Sequence, residues 1–152
     1  MWNQVTKFDK KAVSISDRHY SRRKPGSRQF MPPGETIVLL SADSCAVWGW
    51  WRPHPSSGIK AMNGLDGWTC TIFRTESNLW LPSDMVISAE RFLLESGRTL
   101  GPDGLITYVW DKKVNSKNPG YCFKCAGWMR TGRSADGKKT LLQKKQGIGE
   151  AR

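Results

Sequence analysis

Long apolar runs are missing from this chain. None approaches the ~18 residues that a membrane-spanning helix requires, so no membrane partner is expected. Acidic side chains are also scarce, 13 against 24 lysines and arginines, which leaves a net charge of +11. Cysteine is limited to Cys45, Cys70, Cys122 and Cys125. Only Cys122 and Cys125 form a C-x-x-C pair, whereas a structural zinc site usually needs two such pairs, so no metal is assigned. Dithiol redox chemistry is disfavoured as well, because the pair lies near the C-terminal end and not after a first strand. The opening Met1-Trp2-Asn3-Gln4 lacks the basic-then-apolar order of a secretory signal. A cytoplasmic protein with reduced thiols is the expectation. There is no internal repeat.

What the sequence does hold is aromatic mass and unevenly placed charge. Eight Trp, three Tyr and five Phe in 152 residues set it apart from a disordered basic tail and suit one domain with one core. Residues 1–30 carry a net +6, residues 31–110 a net −3 and residues 111–152 a net +8. If folding brings the two ends together, they make a single positive face that a polyanion would meet with release of its counterions. Solubility alone is the competing explanation.

Asp9 can cap a short helix running to about Tyr20, after which Arg22-Arg23-Lys24-Pro25-Gly26 leaves the helical path. Glu35–Ser41 and Cys45–Arg52 read as a hairpin around Ala42-Asp43-Ser44, and Pro53–Asp66 as loop. Trp68–Thr75 alternates as a strand. Pro82–Ser96 places Met85, Ala89, Phe92 and Leu93 on one helical face, with Gly97 to end it. Leu105–Trp110 has the pattern of a strand covered on both faces. Asn118-Pro119-Gly120 opens a short helix that stops at Gly127, and Trp128–Arg133 with Lys138–Gln143 flank an Asp136-Gly137 turn. The expected domain is a single one over 1–152, with a basic helix and loop over 1–30 and a frayed tail over 144–152. Antiparallel pairs combined with one strand-helix-strand crossover give an α/β (α+β) class with a mixed, mostly antiparallel sheet.

This element order resembles the GNAT fold of acyl-CoA transferases, with helices on both faces of the sheet. The segment Asn118-Pro119-Gly120-Tyr121-Cys122-Phe123-Lys124-Cys125-Ala126-Gly127-Trp128 is similar to that family's short helix running into a Gly-aromatic strand start. Within GNAT-like proteins, three stretches resemble phage and prophage DNA-modification enzymes of the Mom type. They are Arg18-His19-Tyr20-Ser21-Arg22-Arg23, Ile72-Phe73-Arg74-Thr75-Glu76-Ser77, and Asp111-Lys112-Lys113 with Asn118-Pro119-Gly120-Tyr121. The resemblance implies an acetyl-CoA or other acyl-CoA cofactor and DNA as partner, with adenine N6 receiving a carbamoylmethyl or acyl group. The family's glycine-bearing CoA loop is absent from Glu76–Asp84, although amides at a helix start near Ser83 can still hold a pyrophosphate. Phe123 stands where the family often has a tyrosine that protonates the leaving thiolate, and Tyr121 is the nearest substitute.

His19, Tyr20, Ser77, Asp111 and Tyr121 are the candidate catalytic residues. Phe73, Arg74, Ser83, Asn118 and Tyr121 are candidates for holding the cofactor. His19 is a general base near neutral pH, or else a capping or core residue. Arg74 with Glu76 is a buried pair, a phosphate clamp, an acceptor anchor or a plain surface ion pair. Arg18, Arg22, Arg23, Lys24 and Arg28, interleaved with aromatics, suit phosphate contact and base stacking, and Lys112 and Lys113 join them. In Trp48-Gly49-Trp50-Trp51, alternate rings must point to opposite faces. Trp51 either holds an extruded base or covers a helix while Trp48 and Trp50 fill the core. Two other functions compete with DNA modification: acetylation of a protein amine or hypermodified base, and nucleic-acid binding without catalysis.

Overall fold

The computed structural model describes residues 1–22, 24–58, 62–114 and 117–151. In chain order they form β1 (Trp2–Val5), α1 (Lys10–Ser16), β2 (Glu35–Ser41), β3 (Ala46–Arg52), β4 (Trp68–Thr75), α2 (Pro82–Glu95), β5 (Leu105–Trp110), α3 (Tyr121–Cys125), β6 (Met129–Arg133) and β7 (Lys139–Lys144). The class is α+β: among the described residues, one open, mostly antiparallel seven-stranded sheet, in the order β1-β2-β3-β4-β5-β7-β6, with three α-helices. Within that sheet only β4 and β5 run parallel, joined through α2. Among the described residues, no helix is long and apolar enough to cross a membrane.

Period-2 alternation explains how the sheet buries its side chains. In β2, Ile37 and Leu39 pack with Trp48, Trp50 and α2, while Val38 and Leu40 pack with Val47 and with Ala12 and Ile15 of α1. Trp48 and Trp50 are fully buried, and Trp48 lies edge-on to Trp50 at 4.9 Å between ring centroids. The hairpin turn is held by Ser41, whose hydroxyl donates to Asp43 at 2.6 Å and accepts from the Cys45 and Ala46 amides.

Four local features differ from the sequence reading. The strand β1 has no sequence signature, since two of its four residues are exposed. It forms because β2 offers an edge and because the Trp2 indole donates to the Met85 carbonyl of α2 at 3.0 Å. Asp9 caps α1 through the Ala12 amide, but the helix ends at Ser16 and not near Tyr20. There the ladder tightens, with Arg18 and His19 amides bonding three residues back to Ile15 and Ser16, and the chain turns out of the helix. Similarly, α3 starts at Tyr121 from a left-handed Gly120 (φ 77°), leaving Asn118 and Pro119 in the preceding turn.

The fourth difference is the C-terminal tail, which is held and not frayed. Lys144 is 4 % exposed and its ammonium donates to Glu90 (2.7 Å) and to the Ala126 and Glu150 carbonyls. Glu90, fully buried on α2, also accepts from the Trp128 indole and the Gly149 amide. The apolar face expected for α2 thus contains one carboxylate, tolerable because the Lys144 ammonium, the Trp128 indole and the Gly149 amide all donate to it.

Candidate functional site

The site begins with the way β4 and β5 meet. At their start the backbones are pressed together: Gly67 lies so close to the Gly104 carbonyl that a Cβ there would collide with it. Pairing runs from Trp68 with Leu105 to Cys70 with Thr107 and then stops. The Thr107 hydroxyl closes the last rung by donating to the Cys70 carbonyl at 3.0 Å. On the other edge of β4, the register with β3 jumps from Cys70 opposite Trp50 to Ile72 opposite Gly49, so Thr71 is the extra residue of a β-bulge. A bulge bends and twists its strand. Beyond it β4 leaves β5, and the facing edges of Thr71–Thr75 and Tyr108–Trp110 make no rungs with each other.

Two cavities occupy the opening. The smaller, about 160 Å³, lies in the wedge itself between Cys70–Phe73 and Thr107–Val109, with Gly120, Cys122 and Phe123 behind it. The larger, about 810 Å³, extends towards the segment 19–33 and is lined by Tyr20, Phe30, Trp51, Tyr108 and Trp110 together with Lys24, Lys113 and Lys139. His19, Tyr20, Cys70, Thr71, Ile72 and Tyr108 line both. The early end of α1 is what delivers His19 and Tyr20 to this junction.

His19 is fixed in one tautomer. Its Nδ1 accepts the Ser21 amide at 3.1 Å and lies 2.6 Å from the Ser21 hydroxyl, so the ring proton resides on Nε2. Burial, helped by the Arg74 charge, lowers its pKa to about 4, and the imidazole is neutral at pH 7. It can therefore donate from Nε2 but does not serve as a base there. The Tyr20 ring packs against it, tilted by 30° with 4.2 Å between centroids, and burial raises its phenol against a hydrogen bond with the Trp110 backbone. Burial also raises the phenol of Tyr108. The thiols lining the wedge, Cys70 and Cys122, are held protonated by burial, Cys122 at about 11. They are unsuited to nucleophilic attack at neutral pH.

Of the other expected catalytic residues, Ser77, Asp111 and Tyr121 line neither cavity. The Ser77 hydroxyl donates to Asp43 at 2.6 Å and accepts the Leu79 amide, ordering the loop before α2. Asp111 accepts from the Thr140 hydroxyl and from Arg133, pinning the turn after β5. Tyr121 is 62 % exposed, and its phenol pairs with Cys125 one helical turn on.

The cofactor candidates also separate. Phe73 lines the smaller cavity and packs on Trp48 and Phe123. Arg74 and Arg18 share Glu76, Arg18 through two hydrogen bonds, and both guanidiniums hold that carboxyl down at about 2. Ser83 sits in the first turn of α2, whose N-terminus has no side-chain cap. Asn118 accepts from Lys124 at 2.7 Å, outside both cavities.

Among the basic candidates, Arg23 lies outside the described residues. Arg22 lines the larger cavity, but its guanidinium, 6 % exposed, is committed to Asp17 and to the Ser27 and Gln29 carbonyls. It folds the loop. Lys24, Lys113 and Trp51 line the larger cavity, and the Trp51 indole is anchored to the Pro33 carbonyl at 2.9 Å. Arg28 and Lys112 lie outside it.

The residues that sequence reasoning missed are Thr71, Tyr108, Trp110 and Lys139. Tyr108 and Trp110 are visible in the sequence only as strand residues, and no local signal marks them as facing a cavity. No family model matches the chain, and neither a curated protein nor a solved structure is significantly similar to it.

Proposed function

We propose that the chain is a GNAT-like N-acyltransferase that modifies adenine N6 in DNA, in the manner of Mom-type phage and prophage enzymes. The observation that carries this reading is the bulge-driven parting of β4 and β5, which opens a narrow wedge directly into a basic, aromatic cleft. The strand order and the single parallel pair agree with a GNAT-like sheet. Two core clusters, one built with α1 and one with α2, suit a sheet covered by helices on both faces.

In this reading the thioester end of acyl-CoA enters the wedge, and the free amides at the uncapped start of α2 are the candidate holders of its pyrophosphate. The base enters the larger cleft. The adenine amine attacks the thioester carbonyl directly, since Cys70 and Cys122 are protonated. His19 Nε2–H and the unpaired strand edges are donors for the oxygen as negative charge develops on it. Tyr20, protonated through the neutral range, lines both cavities and donates to the departing thiolate, and the phenolate so formed takes up the proton that the amine gives up as the amide forms. Most of the rate enhancement then comes from positioning and fixed dipoles. A carbamoylmethyl product needs chemistry beyond acyl transfer, and these residues serve the acyl step alone.

The test is mass analysis of nucleosides after incubating the protein with duplex DNA and acetyl-CoA. A deoxyadenosine of increased mass is expected, dependent on both the protein and the donor. Nucleosides that all keep their ordinary masses, with acetyl groups on added protein lysines instead, would contradict the reading.

A further inference from the structure

Two of the cations that line the larger cleft sit on one ring. Trp110 ends β5, and Lys139 begins β7 directly opposite it in the antiparallel register. The chain then turns sharply, the Lys113 amide bonding back to the Trp110 carbonyl at 3.0 Å, which swings Lys113 onto the same indole. The ammoniums lie 4.1 Å (Lys113) and 5.5 Å (Lys139) from its ring centroid, within cation–π range. The turn is locked from outside by Asp111, which takes Thr140 and Arg133.

Neither lysine has a carboxylate within ion-pair distance among the described residues, whereas the neighbouring Arg133 and the distant Lys145 are paired. Holding two like charges beside one ring is unfavourable until an anion joins them. Lys24 faces the same space from the segment 19–33, and the rest of the lining offers rings for stacking. Cations and aromatic rings lining one cleft are the combination that grips an unpaired strand.

We infer that Lys113 and Lys139, mounted on Trp110, form a phosphate clamp for the backbone of a single-stranded or extruded nucleotide whose base occupies the larger cleft. The clamp rests on the reading of the cleft as a nucleic-acid site. It adds that the strand is unpaired there, and that its phosphates are held at the β5–β7 end. Each ammonium takes the phosphate of one of two adjacent nucleotides.

The experiment is fluorescence anisotropy with a labelled single-stranded oligonucleotide over a series of salt concentrations. Wild-type protein is compared with Lys113→Gln, Lys139→Gln and Lys145→Gln, the last lying just beyond the far end of β7. Losing one phosphate contact to a single strand lowers the salt slope, log K against log salt concentration, by about 0.7. That decrease is expected for Lys113→Gln and for Lys139→Gln, with rescue by Lys139→Arg, and not for Lys145→Gln. Acetyl-CoA affinity, measured by calorimetry, is expected to be the same in all of them. Equal decreases in all three glutamine variants would reveal diffuse charge and overturn the clamp. So would unchanged slopes at Lys113 and Lys139 with weakened acetyl-CoA binding, which would give these lysines to the cofactor. Wild-type protein that fails to bind the oligonucleotide at all would remove the nucleic-acid reading together with the clamp.

Discussion

Which tyrosine lines the candidate site is set by where a helix ends. Sequence pattern singles out Tyr121 as the acid because it lies near Phe123, yet it is exposed and bonded to Cys125. Tyr20 reaches the junction of the cavities because α1 stops at Ser16, an end decided by three-residue bonds that no residue preference announces. Tyr20→Phe is expected to reduce kcat about 10²-fold, the scale of a lost proton donor, while Tyr121→Phe leaves it unchanged. Steady-state kinetics on the two variants decides between them. His19 makes a separate, pH-dependent prediction. Its folded pKa of about 4 lies below the ordinary histidine value of 6.5, so the unfolded chain takes up the proton first. The contribution of neutral His19 to stability is complete above pH 6.5 and is lost progressively as pH falls towards 4. Urea midpoints measured across that window should decline in the wild type, and His19→Gln should flatten this component.

At the level of elements, most strands were legible because alternation is a local property. The hairpin, β4 and β5 occur within a residue of their expected bounds. The parting of Trp68–Thr75 from Leu105–Trp110 is what the resemblance to the GNAT fold implies, but the bulge beside it was not legible, because a bulge belongs to a pair of strands: Thr71 is extra only in relation to Gly49 and Trp50. The pinned base of the wedge is testable. Gly67→Ala drives a methyl into the Gly104 backbone carbonyl, which cannot step aside as a side-chain tip can. A loss of about 1–3 kcal/mol is expected in denaturant unfolding. The tail was hidden for a similar reason, since a lysine-rich C-terminus reads as frayed until Glu90 is found beneath it. Lys144→Met leaves the Glu90 carboxylate buried without its cation, and should cost about 3–5 kcal/mol in the same measurement. A change under about 1 kcal/mol would mean that the Trp128 and Gly149 donors suffice.

Over the whole molecule, the uneven charge of the sequence acquires a geometry. The basic N-terminal segment supplies Lys24 and the basic C-terminal segment supplies Lys113 and Lys139 to the lining of one cavity, although the net-negative stretch 31–110 separates them in the chain. Composition foretold that the ends carry the charge. The sheet order, which sets β7 beside β5, brings Lys139 opposite Trp110, and the loop after α1 brings Lys24 to the same cavity. The narrow wedge adjoins that cleft and shares His19 and Tyr20 with it, so in the proposed reaction donor and acceptor would meet at these residues. Binding of the donor in the wedge is the central physical claim, and acyl-CoA occupancy tests it most directly. Calorimetric titration with acetyl-CoA in the absence of nucleic acid is expected to show saturable binding, weakened by Cys122→Trp, which fills the wedge, and unaffected by Lys139→Gln. No detectable heat, together with an unfolding temperature that acetyl-CoA does not raise, would contradict the account.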